Sequence, residues 1–536
     1  MPWRRRSFDE LPALRMGGKP LRAALRTVTA AWMFGVVWMA CISGSQMTLL
    51  GKLLGFSNRH FGYLSAIAWT AYLGQLISAV VIERTGLRKY QFIFYATIQR
   101  LMWLVIAAVP LVLRPGPTAV AVFLSIYAVG ALLAHMAMPP WQNWMADMIP
   151  RRIRGRYFAA RRVWTIPVQI VVTVAAGLIL DLATVKAPPE APLTVATQPY
   201  LLPAICGLFA FGAIFGVIDV TLFLRMREIV SEPLLAPRRR PRRHPLIAAA
   251  EAVGEAFGSV FQAVRDRGFI YYALYAATIA FAMTVGAQFW WLNSLENLGY
   301  SKLGANVVFM VCSPLMALAT ARLWGGLIDR WGRRPVLILC TAGTFFSPVG
   351  WFLIPADGPM WLAYALGAAT CMIGGAMWGG VELGRFNVLL GFAESAGRSK
   401  YMAAAAVFTA IGGFAGGTFG GWLADHFINL QYNHSPLRVG PFLWNNWHLT
   451  FLASMAARLV AVGFLIPMPD PGAKPFRDVI RHIRINAYNN ALPRLFWRLR
   501  VWRRREPNAP ANSAARPSWW NRLWHRRPGR GGQKAA

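Results

Sequence analysis

Ionisable and amide side chains are scarce inside the long apolar runs of this chain, so the few present point to chemistry rather than packing. Glu382 and Arg385 stand three residues apart, which puts an acid and a base on one helix face where they can pair. His135 lies in another apolar run, with Gln142 and Asn143 two turns further on. Gln46, Gln288 and Asn387, together with Ser43, Ser45 and Asn293, complete the set. Such groups are costly in lipid and face a water-filled cavity or one another. A partly buried carboxylate or imidazole can take up and release a proton at accessible pH. Glu382 and His135 are therefore candidate proton sites, against the plainer alternatives of a structural ion pair and an interhelical hydrogen bond. Arg100, Arg322, Asp219 and Arg458 read as structural groups or as side chains that snorkel.

Other chemistries lack their residues. No aspartate pair, short-spaced His–Asp pair or nucleotide-binding loop stands out, which argues against a lipid-modifying enzyme. The Gly-x-x-x-x-Gly-Lys loop of an ATP-driven pump is missing. The five cysteines (41, 206, 312, 340 and 371) all fall in apolar runs, odd in number and at no metal-ligand spacing, so neither a disulfide framework nor a zinc module is expected. No metal and no cofactor is expected.

The elements that carry these residues are membrane spans. Of 536 residues, 56% are hydrophobic and 14% charged, well short of the charge of a soluble domain. A spanning helix needs about 20 apolar residues, and twelve such runs are present: 27–50, 61–83, 91–113, 118–147, 160–183, 200–224, 269–293, 303–328, 335–355, 359–390, 400–428 and 447–468. The alternating ten-residue strands of an outer-membrane barrel are absent. The first run follows a basic stretch and lacks a small-residue cleavage site, so no cleaved leader is expected. The class expected is an all-α polytopic membrane protein.

Orientation follows from the bases. With the N-terminus cytoplasmic, the inner segments hold 46 of the 56 Lys and Arg, the outer segments six, and the spans four. Cytoplasmic loops carry the excess of positive charge, so both termini are expected inside, in a multi-pass protein of the cell (inner) membrane. The net charge of +35 then needs no nucleic-acid partner.

The two halves echo one another. Adding 244 carries Asn143 to Asn387, Arg154 to Arg398, Tyr157 to Tyr401, Gly177 to Gly421 and Asp181 to Asp425. Adding 246 carries Glu83, Arg84, Gly86 and Arg88 onto Asp329, Arg330, Gly332 and Arg334. The chain divides into a basic N-terminal segment (1–26), a six-helix bundle (27–224), a linker (225–268), a second six-helix bundle (269–468) and a basic tail (469–536). The linker opens with Pro233, Pro237 and Pro241 among arginines. It continues with an apolar stripe through Leu246, Ala250, Val253, Phe257, Val260 and Val264, fit to lie on the inner membrane face. The tail interleaves Arg with Trp497, Trp502, Trp519, Trp520 and Trp524, a mixture suited to anionic headgroups; beyond Pro507 its composition is that of a disordered segment.

The sharpest motif is Gly325-x-x-x-Asp329-Arg330-x-Gly332-Arg333-Arg334-Pro335, between runs 8 and 9. It resembles the cytoplasmic loop signature of the major facilitator superfamily, and with the twelve runs and the long central loop the resemblance covers 27–468. In the first half Glu83, Arg84, Gly86 and Arg88 match more weakly, with Ala79 in place of the leading glycine. A second stretch, Trp141 to Pro150 followed by Arg154-Gly155-Arg156-Tyr157, is similar to the helix 4–5 junction of poorly characterised bacterial members. The resemblance implies twelve transmembrane helices in two pseudo-symmetric six-helix bundles around one cavity. It implies a secondary active transporter that moves a small solute by alternating access, coupled to protons and monomeric. Asp329, Arg330, Gly332, Arg333 and Arg334, with Glu83, Arg84, Gly86, Arg88, Asp147 and Arg154, would form the cytoplasmic gate. Helices 1, 4, 7 and 10 would present Gln46, His135, Gln142, Asn143, Gln288, Glu382, Arg385 and Asn387 to the cavity. The glycine-flanked proline motif of proton-driven drug antiporters is missing around Pro167. A transporter-fold sensor without transport, or a polytopic enzyme acting on lipid, are the other readings.

Overall fold

The computed structural model describes residues 18–85, 87–185, 193–226, 254, 258, 260–355, 358–392, 398–427, 437–470, 473, 474, 478 and 481. Eleven helical segments in it are long and apolar enough to cross a membrane. A twelfth span, the second in order, escapes that count because it is two helices, Asn58–Thr70 and Gly74–Thr85, joined by the 3-10 turn Ala71–Leu73. Span 1 is also divided, into Gly18–Ile42 and Ser45–Leu54. Spans 3 to 6 are Arg88–Val112, Pro117–Met148, Arg151–Leu182 and Leu201–Leu222. Span 7 starts as Arg267–Thr284 and ends in the π turn Asn293–Asn297. Span 8 runs from Lys302–Val307 through the π turn Val308–Cys312 into Ser313–Trp331. Span 9 is Arg333–Thr344 with Phe346–Phe352, and spans 10 to 12 are Met360–Phe392, Arg398–His426 and Asn446–Leu465. Every expected run falls on a span. Among the described residues the one departure from an all-α chain is a hairpin between spans 11 and 12, Leu437–Val439 against Phe442–Trp444, turning at Gly440 with φ of 60°.

Packing repeats six spans apart. Spans 1 and 6, 3 and 4, 3 and 6, 1 and 5, and 2 and 4 lie against each other in the first half. Their counterparts 7 and 12, 9 and 10, 9 and 12, 7 and 11, and 8 and 10 do so in the second. The structure is thus two matching six-helix bundles. We call the end where span 1 begins the near end and the opposite end the far end. The halves share one apolar core at the far end, where Leu50, Leu54, Phe61 and Phe209 join Phe289 and Phe451. A core cluster towards the near end, including Val28, Phe92, Trp144, Met148 and Phe223, draws on the first half alone. Span 2 shows the same change along its length: Asn58–Thr70 lies along span 11, while Gly74–Thr85 packs on span 4.

Pro117–Met148 and Met360–Phe392 stay helical through Pro139-Pro140 and Gly379-Gly380. Neighbouring helices sustain a proline inside a span, and here spans 3 and 2 flank span 4. The helices break instead at Ser43-Gly44, at Ala71–Leu73 and within spans 7 and 8. Gly332 (φ 97°) makes the turn into span 9, as its place in the motif predicts. The cap on that helix is Asp470, whose Oδ2 accepts from the backbone N–H groups of Arg333 (2.9 Å) and Arg334 (2.8 Å). Asp470→Ala removes an N-terminal cap and should cost about 1 kcal/mol, read as a lowered unfolding midpoint in detergent; an unchanged midpoint would deny the cap any structural weight.

Most of the linker and tail, and residues 1–17, lie outside the described residues. Of the expected amphipathic stripe, residues 260–264 are helical, with Val260 and Ala263 buried and Phe261 73% exposed.

Candidate functional site

A cavity of about 450 Å³ opens beside the break in span 1. The break follows from Gly44, whose φ of 97° suits glycine and whose missing side chain leaves room for Met310 and Asn306 of span 8. Trp38, Trp103, Tyr127 and Trp291 contribute rings to the wall, and Ser43, Gln99, His135 and Gln288 contribute polar groups. Of the residues chosen from sequence, Ser43, His135 and Gln288 line this space. Gln46 does not: it is fully buried, and its amide donates to the carbonyls of Ala40 (2.7 Å) and Cys41 (3.1 Å). Those carbonyls lost their helical partners at the break, so Gln46 repairs the helix end. Its Oε1 lies 3.5 Å from Asn306 Nδ2, and Asn306 Oδ1 accepts from Ser45 N at 2.9 Å. Gln142 and Asn143 are exposed on the near half of span 4. Asn387 bonds within its own helix, to the Leu383 carbonyl at 2.8 Å.

Glu382 and Arg385 pair as their spacing predicts, at 3.7 Å, with the glutamate side chain 59% exposed and the arginine 16%. They stand apart from the cavity wall. Tyr72, on the 3-10 turn of span 2, packs its ring 4.2 Å from the His135 ring and lies within electrostatic reach of both Glu382 and Arg385. Gln75 approaches His135 Nδ1 at 3.3 Å, and Trp69 stacks on Tyr72 at 5.4 Å. Tyr72 thus continues the cavity's polar edge beyond His135, and its phenol feels the charges of Glu382 and Arg385. Tyr72 is not among the residues chosen from sequence; its place three residues before Gln75 in an apolar run was the available signal.

The halves are clasped at the far end by two equivalent devices. Asp181, ending span 5, accepts from the backbone N–H groups of Lys302 (2.8 Å) and Leu303 (3.0 Å), which begin span 8. Asp425, ending span 11, holds Arg59 at 3.1 Å, at the start of span 2. Gly177 and Gly421, one turn earlier in each case, let the helices touch: a Cβ on Gly177 would sit 2.5 Å from Leu303 Cα, and one on Gly421 would sit 3.0 Å from Arg59 Cα. Asp181 and Asp425, Gly177 and Gly421, and Arg59 and Leu303 are all 244 residues apart. Lys52 with Glu296 (2.8 Å) and Trp447 Nε1 with Asn58 Oδ1 (3.1 Å) add further links at this end.

At the near end the expected gate residues serve their own halves. Arg88 pairs with Asp147 inside the first half. Arg333 donates to the Asn387 carbonyl (3.2 Å) and Arg334 to the Met468 carbonyl (2.9 Å), tying span 9 to spans 10 and 12. Asp329 and Arg330 are exposed. Gly86, and the side chains of Glu83, Arg84 and Arg154, lie outside the described residues.

These features define a class: a twelve-span membrane bundle of two matching halves, clasped at one end, with a solute-sized cavity between them. Residues 27–397 match the model of the Major Facilitator Superfamily, and the chain belongs to that superfamily. It is a transporter by family, not an enzyme. The xylose transporter XylE from E. coli, in an inward open conformation, is 16% identical, covering 85% of this chain and 98% of that one at a TM-score of 0.56. A bacterial homologue of the human lysosomal transporter Spinster, inward-facing and occupied, is 15% identical over 84% and 97% at 0.55. The nucleoside transporter NupG is 13% identical over 84% and 99% at 0.53. Comparison with curated proteins found no match.

Proposed function

We propose that this chain is a secondary active transporter that carries a small solute across the inner membrane by alternating access, coupled to protons. The observation that carries this reading is the far-end clasp: two matching halves joined at one end, around a cavity, are built to rock about it. The near end is the cytoplasmic one on the charge asymmetry, so the conformation is inward-facing. XylE and the Spinster homologue are fold relatives solved in inward open and inward-facing conformations, which supports that reading. Asp329, Arg330 and the neighbouring signature residues would close the near end when the clasps part, and the basic tail would lie on anionic lipid. Protons would enter at Glu382, held by Arg385, and reach the cavity side through Tyr72 and His135. Glu382→Gln should then abolish pH-gradient-driven accumulation in proteoliposomes while downhill exchange of the same solute continues. Accumulation equal to that of the unaltered protein would remove Glu382 from coupling.

A further inference from the structure

We infer that the transported solute is uncharged and carries a flat or sugar-like ring with hydrogen-bonding substituents; this rests on reading the cavity as the transport site. The first ground is what the wall omits. Among the described residues, no aspartate, glutamate, lysine or arginine lines the cavity. Glu382 and Arg385, chosen from sequence as cavity groups of both signs, neutralise one another elsewhere. While His135 is neutral, an ion entering this space would shed its hydration without meeting a counter-charge, a cost of several kcal/mol.

The second ground is what the wall supplies. Its rings are held rigidly by neighbours. Trp103 meets Phe209 edge-on at 5.3 Å, Trp291 packs 4.5 Å from Phe309, and Trp38 has the Arg100 guanidinium 3.7 Å from its ring centre. Fixed aromatic faces select flat partners. The polar groups are the Gln99 and Gln288 amides, the Ser43 hydroxyl and the His135 imidazole, each able both to donate and to accept when neutral. The Gln288 and Ser43 side chains make no hydrogen bond among the described residues, so both remain available to a solute. Gln99 has its carbonyl oxygen engaged by Arg100 and turns amide hydrogens to its surroundings. The volume, about 450 Å³, lies in the range of small-molecule sites and suits one or two rings. Trp291 and Gln288 come from span 7 and the other ring and amide groups from the first half, so one solute touches both bundles and can bind them differently as they rock.

The test uses the full chain in detergent and matched pairs that differ only in charge: glucose with glucose 6-phosphate, uridine with uridine 5′-monophosphate, and benzyl alcohol with benzoate. Equilibrium dialysis should show at least one neutral member binding and its charged partner at least 100-fold weaker. Trp291→Ala and Gln288→Leu should each weaken that binding about tenfold. Charged members binding as well as neutral ones, or no neutral member binding at millimolar concentration, overturns the inference. The same compounds in proteoliposomes keep the two readings apart. Neutral binding without flux counts against transport and leaves the solute class standing; flux of charged members does the reverse.

Discussion

The double variant Gly62→Leu, Gly177→Leu should lose net transport almost entirely, because the far end could no longer close. A Cβ on Gly62 would lie 2.5 Å from the Gly417 carbonyl oxygen and 2.7 Å from Gly421 Cα; a Cβ on Gly177 would lie 2.5 Å from Leu303 Cα. These obstacles are backbone atoms of the opposite half, which no rotamer change relieves. Overpacking costs about 1–3 kcal/mol at each site. Forcing the halves apart also separates Asp181 from two backbone N–H groups and Asp425 from Arg59, hydrogen bonds to charged groups worth about 1.5–3 kcal/mol each. About 5.5 kcal/mol is enough to turn a 99:1 preference into 1:99. The expected result is exchange flux reduced about 100-fold, with a cysteine at Ser43 labelled faster by a reagent applied from the far side. Each bundle should still fold, since both glycines press on the opposite half and not on their own. Normal flux from the double leucine variant would mean that the clasps are not the gate.

Much of this arrangement was legible in the sequence. Twelve apolar runs gave twelve spans because length and hydropathy decide what can cross lipid. The breaks in spans 1 and 2 were not legible, since an average over twenty residues passes across a Gly44 or a single 3-10 turn unchanged. The offset of 244 marked Gly177 with Gly421 and Asp181 with Asp425 as an echo. Their role could not follow, because the partners, Leu303 and Arg59, belong to the other half and meet them only in this conformation. One readable signal went unused. Gly412-Gly413, Gly416-Gly417 and Gly420-Gly421 repeat every four residues along span 11, laying two stripes on one helix. One meets span 7 at Ala277, Phe281 and Val285, and the other meets span 2 at Gly62, Ala66 and Trp69. Site residues followed the same division. His135 and the Glu382–Arg385 pair declared themselves as polar groups in apolar runs, whereas Tyr72 joins them only through the turn that sequence did not show. Arg333 and Arg334, read as gating groups, hold carbonyls of spans 10 and 12 in this conformation.

Asp219→Ala should be the most destabilising single change in the first bundle. Arg100 and Asp219 lie 119 residues apart in sequence and 3.3 Å apart in space, with side chains 10% and 4% exposed, linking span 3 to span 6. Room for the carboxylate exists because residue 35 is glycine; a Cβ there would come 2.9 Å from Asp219 Oδ2. Removing the acid strands a buried guanidinium, at about 3–5 kcal/mol, while replacing both partners by apolar groups of similar volume is often close to neutral. The second bundle shows how the difference arises. Arg458 is equally buried but needs no carboxylate: it donates to the Thr344 carbonyl at 2.7 Å and to Ser454 Oγ at 3.2 Å. Arg100 has instead Gln99, the face of Trp38 and Asp219, so among the described residues its charge is balanced by the aspartate. Asp219→Ala should therefore lower both the detergent melting midpoint and the amount of protein in the membrane severalfold, and Arg100→Met with Asp219→Leu should recover most of each. Because Arg100 also backs Trp38, the rescued double variant should bind solute less tightly than the unaltered protein even where its melting midpoint matches. A single Asp219→Ala variant that melts normally would show that spans 3 and 6 are held by their apolar contacts and not by this pair.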